Sequence, residues 1–324
     1  DGVIDLGSLA VNGSFDLTTD GSGNATVVNA TALNFIASGI GGNLSATATA
    51  GNITQSTGAL TVGGTSTLVT TAQEATIDLS TITTNAFTGA VTITTNDNAG
   101  ADADVIIDGG TTALIVAAST IDGDLTLTSG ATAGITDSGT VTVLGDIYLI
   151  TDAGNGVIDV GTLAVTGSVD LATHGSGDAT LVNATALDFA ASTVGGELTA
   201  TATTGNITQS GSLDINGTGT TTITASASGA DITLFNAAND FEGAVSTTGH
   251  DVKLWTADTM NLEAATIAGD YTVYAGTTID DSGAQVIAGD ATFKTHAASS
   301  EITFDHVGNS FGGAFITVGG IGFL

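Results

Sequence analysis

Short stretches of alternating small apolar and hydroxyl residues run along most of this chain. Between Gly41 and Gly64, Leu44 and Ala46 lie on one side of an extended backbone, and Ser45 and Thr47 lie on the other. A period of two residues is typical of β-strands, whereas a helix repeats every 3.6 residues. Gly-Asn and Gly-Gly pairs, which favour turns, interrupt the alternation. The pattern therefore predicts short strands and no helix.

The chain contains a long internal repeat. Residues 2–56 and 156–210 align without a gap, and 40 of the 55 positions are identical. A second motif, Asn-x-Phe-x-Gly-Ala, begins at Asn85, Asn239 and Asn309. Identity at this level indicates duplication, because a shared strand pattern alone does not fix residue identity. We expect repeats at residues 1–154 and 155–307, with a partial third repeat at 301–324.

A shorter period lies inside the long one. Glycines that precede a strand recur at nearly even spacing, at Gly42, Gly123, Gly196 and Gly269. Ile-Thr-Gln-Ser or a close variant follows each of them, starting at Ile53, Ile135, Ile207 and Ile279. The repeat unit is therefore about 75 residues, a period typical of stacked-repeat architectures.

Strands this short fit a sandwich, a barrel or a solenoid. The duplication favours the solenoid, because stacked repeats contact only their neighbours and a common core can extend through them. We expect one all-β solenoid over residues 1–324, with coils of about 20 residues. The side chains predicted to lie inside are Leu44, Leu60, Leu125, Leu198 and Leu213.

The repeat motifs carry a family resemblance. Gly-x-Leu-Thr-Ala-Thr-Ala, Gly-Asn-Ile-Thr-Gln-Ser-Gly and Asn-Asp-Phe-x-Gly-Ala-Val resemble the repeats of filamentous haemagglutinin-like surface proteins of bacteria. The resemblance extends from about Leu6 to Gly319. It implies a right-handed parallel β-helix, secretion to the cell surface or medium, and a role in adhesion or as a surface fibre. Host or neighbour-cell glycans are the binding partners that such a role implies.

The composition is strongly acidic. The chain has 33 Asp and Glu residues against two lysines and no arginine, with a formal net charge of −31, and it contains no Pro and no Cys. With 42% hydrophobic residues in alternation, the acids are expected to cover an ordered β-structure. Such a surface repels nucleic acids and anionic membranes, and its natural counter-ions are cations, above all Ca²⁺. We expect neither nucleic acid binding nor membrane insertion.

One loop is a candidate Ca²⁺ site. The segment between Val91 and Val105 is seven residues longer than its counterpart in the second copy. It contains clustered carboxylate and amide oxygens, which a hard cation prefers. The predicted ligands are Asp97, Asn98, Asp102 and Asp104. The spacing is not that of an EF-hand, and a solvated acidic loop is the alternative interpretation.

Catalysis is the rival to a fibre, since polysaccharide-degrading enzymes use β-helices. Paired carboxylates such as Asp280 and Asp281 suit acid–base chemistry. However, clamping an acidic sugar generally calls for Arg or Lys, and only Lys253 and Lys294 are present. We therefore predict a non-catalytic protein. The four histidines show no metal-ligand spacing.

Apolar residues are concentrated near the C-terminal end, since five of the 11 Phe residues lie between Phe293 and Phe323. A solenoid coil without a neighbour exposes strand edges and core side chains. We expect such coils to stack on flanking repeats of a longer chain, or on another copy in a head-to-tail filament. The predicted interface residues are Val3, Ile4, Phe311, Phe315, Phe323 and Leu324.

Overall fold

The computed structural model describes residues 1–96 and 102–320, and it divides into two compact units, Asp1–Gly167 and Ser168–Leu324. Regular structure in the described residues is entirely β, and they include no helix of the length and apolarity needed to cross a membrane. The strands of the first unit are β1 (Ile4–Leu9), β2 (Ser14–Phe15), β3 (Ala25–Asn29), β4 (Leu33–Phe35), β5 (Ser38–Ile40), β6 (Leu44–Ala48), β7 (Ile53–Gln55), β8 (Leu60–Val62), β9 (Ser66–Thr70), β10 (Ile77–Leu79), β11 (Ala86–Phe87), β12 (Val91–Thr94), β13 (Val105–Asp108), β14 (Leu114–Val116), β15 (Ser119–Ile121), β16 (Leu125–Ser129), β17 (Ile135–Asp137), β18 (Val141–Val143), β19 (Ile147–Thr151) and β20 (Ile158–Val165).

The strands of the second unit are β21 (Ser168–Ala172), β22 (Ala179–Asn183), β23 (Leu187–Phe189), β24 (Ser192–Val194), β25 (Leu198–Ala202), β26 (Ile207–Gln209), β27 (Leu213–Ile215), β28 (Thr221–Ala225), β29 (Ile232–Leu234), β30 (Asp240–Phe241), β31 (Ala244–Gly249), β32 (Val252–Thr256), β33 (Met260–Ile267), β34 (Tyr271–Ala275), β35 (Ile279–Asp281), β36 (Gln285–Ile287), β37 (Ala291–Ala298), β38 (Ser310–Phe311) and β39 (Phe315–Gly320).

The first unit is a parallel β-solenoid. Strands β3, β6, β9 and β12 pair in parallel, with Ala25 opposite Leu44, Leu44 opposite Ser66, and Ser66 opposite Val91. The chain between each pair of partners is close to the expected coil length. On another side of the coil, β10, β13, β16 and β19 form a second parallel ladder. Each coil thus satisfies its backbone groups on the next coil.

The second unit is built in the same way. Strands β22, β25, β28, β31 and β33 form one parallel ladder. Strands β29, β32, β34, β37 and β39 form another. The all-β parallel solenoid is therefore confirmed in both units. Its right-handed sense and the repeat boundaries at residues 154 and 307 stay predictions.

The core follows the period of two. Most five-residue strands alternate buried and half-buried positions, as in β6 and β25. The five leucines predicted to lie inside are all buried, with at most 1% of their surface exposed. Burial of apolar surface at roughly 25 cal/mol per Å² supplies the main stabilisation of each coil.

The two sequence motifs meet in the core as a reciprocal amide pair. Gln55 of Ile-Thr-Gln-Ser donates to Asn85 Oδ1 at 2.8 Å, and Asn85 Nδ2 donates back to Gln55 Oε1 at 3.0 Å. In the second unit Gln209 and Asn239 make the same two bonds, at 2.8 and 2.9 Å. Each Asn also caps backbone groups of neighbouring coils; Asn85 Oδ1 accepts the Leu60 N–H at 2.8 Å. The motifs recur because these buried amides satisfy each other.

Candidate functional site

An outward column of aromatic side chains crosses successive coils of the second unit. Phe235 follows β29, Trp255 lies on β32 and Tyr274 lies on β34, and all three are half-buried. The ring centroids of Phe235 and Trp255 are 5.1 Å apart, those of Trp255 and Tyr274 are 5.6 Å apart, and those of Phe235 and Tyr274 are 4.9 Å apart, so all three rings contact one another. These residues occupy the same strand position on successive coils about 4.8 Å apart, and their rings lean together into one cluster. We call Phe235, Trp255 and Tyr274 the aromatic column.

Basic groups surround the aromatic column. The Lys294 Nζ lies 5.2 Å from the Tyr274 ring centroid, a cation–π contact. The His296 ring stacks on Trp255 with centroids 5.2 Å apart and an interplanar angle of 8°. Lys253 lies on β32, two positions before Trp255 on the same outward side. The chain has only two lysines, and both are therefore beside the aromatic column.

A ladder of carboxylates runs parallel to the aromatic column, at the residue before each strand. The side-chain oxygen of each acid accepts the backbone N–H of the equivalent residue one coil on. In the second unit these bonds join Asp231 to Asp251 at 3.0 Å, Asp251 to Asp270 at 2.8 Å and Asp270 to Asp290 at 2.8 Å. We call this series the acid ladder. Asparagine fills the same position on other coils, as Asn206 does in accepting the Asp231 N–H at 2.9 Å, so the contact requires a side-chain oxygen and not a charge.

The first unit has its own acid ladder, and it explains the recurrent glycines. Asp104 Oδ1 accepts the Asp124 N–H at 2.9 Å, and Asp124 Oδ1 accepts the Asp146 N–H at 2.7 Å. A Cβ atom on Gly123 would overlap the Asp104 carboxylate, and one on Gly145 would overlap Asp124. Glycine therefore precedes the acid because the carboxylate of the previous coil fills the space of a side chain.

His250 lies between two acids of the ladder. Its Nδ1 is 3.1 Å from Asp231 Oδ1 and 3.4 Å from Asp251 Oδ1. One ligand atom from each of the three residues fits within 4.8 Å, so the group could hold a divalent cation. The sequence did not reveal this group, because Asp231 and His250 lie on different coils and come together only when the coils stack.

The predicted Ca²⁺ loop lies partly outside the described residues, which include neither Asp97 nor Asn98. Asp102 is exposed, and Asp104 is an acid of the first ladder. The ladder gives Asp104 a structural role as a backbone acceptor. The Ca²⁺ site at this loop stays a prediction.

A pocket of about 310 Å³ in the second unit is lined by Asp240, Asp258 and Asn261. Burial raises the pKa of the Asp240 carboxyl, and the nearby Asp214 and Asp258 carboxylates raise it further. The Asn261 Oδ1 atom is buried and has no hydrogen-bond partner among the described residues. The pocket therefore combines a carboxyl that holds its proton more strongly than usual with an unpaired acceptor.

The predicted assembly residues lie at the outermost described coils of each unit. Val3 is 67% exposed in the first unit, and Phe315 is 45% exposed in the second. Phe315 packs on Phe311 with ring centroids 4.6 Å apart, while Ile4 is half-buried. Phe323 and Leu324 lie outside the described residues. Whether these residues form an interface stays a prediction.

The aromatic column is where the second unit departs from the first. Strand register in the first unit places Asp108, Thr128 and Ile150 on successive coils, where the second unit has Trp255, Tyr274 and Lys294. A sequence motif marks the aromatic column: Asp-x-Thr/Lys-x followed by an aromatic residue or lysine. The motif begins at Asp231, Asp251, Asp270 and Asp290. Aligning these four segments with one another would have predicted the column.

The acid ladder gives a testable prediction. Neighbouring carboxylates about 4.8 Å apart repel by about 1 kcal/mol in water. Replacing Asp270 by Asn keeps the acceptor for the Asp290 N–H and removes two repulsions. We expect Asp270→Asn to stabilise the second unit by up to about 1 kcal/mol at low ionic strength, and the gain to vanish near 1 M salt. Urea unfolding at two salt concentrations measures it.

The matched variant is Asp270→Ala, which removes the same charge and also the acceptor. It should be less stable than Asp270→Asn by about 1 kcal/mol at every salt concentration, because the Asp290 N–H loses its partner. Equal stability of the Asn and Ala variants would show that the ladder bonds contribute nothing.

Comparison with known proteins gives one match. A family model described as "Repeats of unknown function (DUF5649)" matches residues 22–94, 176–248 and 249–318. The first two stretches lie at corresponding positions of the two copies, and all three have nearly the same length, which confirms the repeat unit predicted from the sequence. The chain matched no curated protein and no solved structure. Because the matched stretches cover well over half of the chain, it belongs to the family of DUF5649 repeats.

Proposed function

We propose that this chain is an extracellular structural and adhesive β-solenoid of a bacterial surface protein. The observation that carries the proposal is that the two units share one scaffold but differ in the side chains of one outward face. Both units keep the apolar core and the reciprocal amide pair. The outward residues of one face differ: the second unit has an aromatic column, and the described residues of the first unit have no equivalent. A repeated scaffold that displays one distinctive face suits adhesion better than a general support role.

Two further features support the proposal. The repeat motifs resemble those of filamentous haemagglutinin-like surface proteins, for which secretion and adhesion are typical. The outward strand positions are mainly threonine and acid residues, and the resulting net charge of −31 keeps such a surface soluble in the medium.

The proposal is tested on intact cells of the source organism. Antibody against the purified chain should label the cell surface or the medium, and beads coated with the chain should adhere to cells or surface material. Beads coated with the Leu198→Asp variant, whose core we expect to unfold, are the control. Labelling only after the cells are broken would contradict an extracellular location, and equal adherence of both bead types would contradict a specific adhesive role.

The proposal also includes head-to-tail assembly of the chain into filaments. Phe315 lies directly over the core of the coil before it, opposite Ala291, yet is 45% exposed. A second copy, or a flanking repeat, would cover this surface and pair the open strand edge. We expect the chain to form filaments in electron micrographs and Phe315→Asp to leave short particles. Filaments of unchanged length in the variant, or their absence from the wild-type chain at high concentration, would exclude self-assembly through this coil.

A carbohydrate-active enzyme is the second candidate, and the pocket at Asp240 is the observation that favours it. A carboxyl with a raised pKa beside a second carboxylate is the arrangement of a general acid with its partner. If the pocket is catalytic, the chain should release reducing ends from polysaccharides and Asp240→Asn should abolish the release. The adhesive proposal expects no release from either protein.

A further inference from the structure

We propose that the aromatic column, with Lys253 and Lys294, binds an acidic polysaccharide, with one sugar ring against the aromatic cluster and sugar carboxylates at the lysines. This inference rests on the proposed adhesive function and names its ligand class. It concerns the second unit alone, since the column has no counterpart among the described residues of the first unit.

The aromatic column supplies the stacking surface. Trp255 is the only tryptophan of the chain and lies between Phe235 and Tyr274 on adjacent coils. The three rings contact one another, with the Phe235 and Tyr274 centroids 4.9 Å apart, so they form one compact apolar patch of about the size of a single sugar ring. The apolar C–H face of a pyranose packs on such rings, and Trp and Tyr provide this contact at low cost in conformational entropy. The outward Thr233 and Thr272 beside the column offer hydroxyls for the polar edge of the sugar.

The lysines supply the charge complementarity. The chain has 33 acids, yet among the described residues neither lysine has a carboxylate within ion-pair distance. Lys294 lies four positions after Asp290, or about 13 Å in an extended strand. That separation exceeds the Debye length of about 8 Å at physiological ionic strength, so the acid ladder is largely screened at Lys294. Lys253 lies two positions after Asp251, or about 7 Å along the strand, so the acid ladder partly offsets its charge. Lys294 beside the stacking surface is therefore the principal group that favours an anionic ring-containing ligand.

The charge density of the ligand favours an acidic polysaccharide over a nucleic acid. Duplex DNA carries one charge for each ~1.7 Å, and its binding needs several Lys or Arg residues to neutralise phosphates. Two lysines on a chain of net charge −31 do not provide this. A uronic acid polymer has at most one carboxylate per sugar ring, and two lysines match a short run of it.

The experiment compares charged and uncharged forms of the same polymers. The probes are polygalacturonate, alginate and hyaluronan, each paired with its carboxyl-reduced or methyl-esterified form, and binding is measured by calorimetry. The intact chain should bind at least one acidic polymer more tightly than its neutral partner, and the preference should fall as salt rises. Trp255→Ala should weaken binding to both forms by about tenfold, because it removes the central ring.

Lys294→Gln separates charge from stacking. This variant should have a smaller preference for the acidic polymer, and it should bind the neutral form as tightly as the intact chain does. Unchanged binding of the neutral polymer also shows that the variant is folded. Tyr148→Ala is the matched control, because Tyr148 is an outward aromatic residue of β19 in the first unit, and its partner on β16 is Thr126. It should bind like the intact chain.

The outcomes separate this inference from the proposed function. No binding to any acidic polymer, equal binding of charged and neutral forms, or an unaffected Trp255→Ala variant overturns the acidic glycan site. Equal or tighter binding of a single-stranded oligonucleotide also overturns it. If coated beads still adhere to cells after such a result, the adhesive function stands and acts through another ligand; if they do not adhere, both proposals fail.

Discussion

Replacing Leu198 by aspartate is expected to unfold the coils of the second unit around β25. Leu198 is fully buried, and its strand pairs with β22 on one side and β28 on the other. The change removes a large apolar side chain and places an unpaired carboxylate in the core, at a cost of about 5 kcal/mol or more. A loss of this size equals the whole stability of many domains. Circular dichroism during urea unfolding measures it.

Thr199→Asp is the matched control for this prediction. Thr199 is the next residue of the same strand and points outward between Thr180 and Thr222. Its replacement should change the free energy of unfolding by about 0.5 kcal/mol or less at moderate salt. If the Leu198 and Thr199 variants have similar stability, the alternation of inward and outward positions assigned to β25 is incorrect.

Replacing Asn85 by alanine is expected to destabilise the first unit by about 3–5 kcal/mol, because several buried groups lose their partner together. Asn85 is 1% exposed, and its Nδ2 donates to the carbonyl oxygens of Leu79 and Ile82, each at 2.9 Å. Its loss removes a donor from these carbonyls and leaves the Leu60 N–H and the Gln55 Oε1 atom without the partner that Asn85 provides. Each buried group left unsatisfied costs about 1–3 kcal/mol. Thermal and urea unfolding give the difference.

Asn34→Ala is the control, because the Asn34 side chain lies at the surface and donates to Ser56 Oγ at 3.0 Å. Its loss should cost about 0.5 kcal/mol or less. A double-mutant cycle of Gln55→Ala with Asn85→Ala should give a coupling energy of at least about 0.5 kcal/mol, since the two amides form a reciprocal pair. Strictly additive effects would show that the pair does not act as a unit.

The local pattern determined which side chains lie in the core. A strand has only two faces, so alternation of Leu, Ala and Val with Ser and Thr assigns each residue to the inside or the outside without knowledge of its neighbours. For this reason the burial of Leu44, Leu125 and Leu198 followed from the sequence. Duplication added the solenoid, because a repeated unit that cannot bury its own apolar face must stack on the next.

The motifs were visible in the sequence, but their physical roles were not. Ile-Thr-Gln-Ser and Asn-x-Phe mark the repeat, and only the stacked coils bring Gln55 to Asn85, which lies on a later coil. The glycine before each strand likewise had the form of a turn signal. Glycine is required there because the carboxylate of the previous coil occupies the space of a side chain, as Asp104 does beside Gly123. A rule based on neighbouring residues in the sequence does not include this contact.

The tertiary structure showed which outward residues form a surface. In the first unit the length of chain between partners on adjacent coils changes from coil to coil, so one fixed spacing does not align all the coils. In the second unit only the shared Asp-x-Thr/Lys-x segments mark the partners in the sequence. Without that alignment, Phe235, Trp255 and Tyr274 look like isolated aromatic residues in the sequence. His250 likewise looks like an isolated residue between distant acids. The sequence by itself determined the fold of each coil, because strand alternation is local. Parallel pairing between coils determined the aromatic column and the acid ladder, because these depend on the register of backbone hydrogen bonds between residues far apart in the chain.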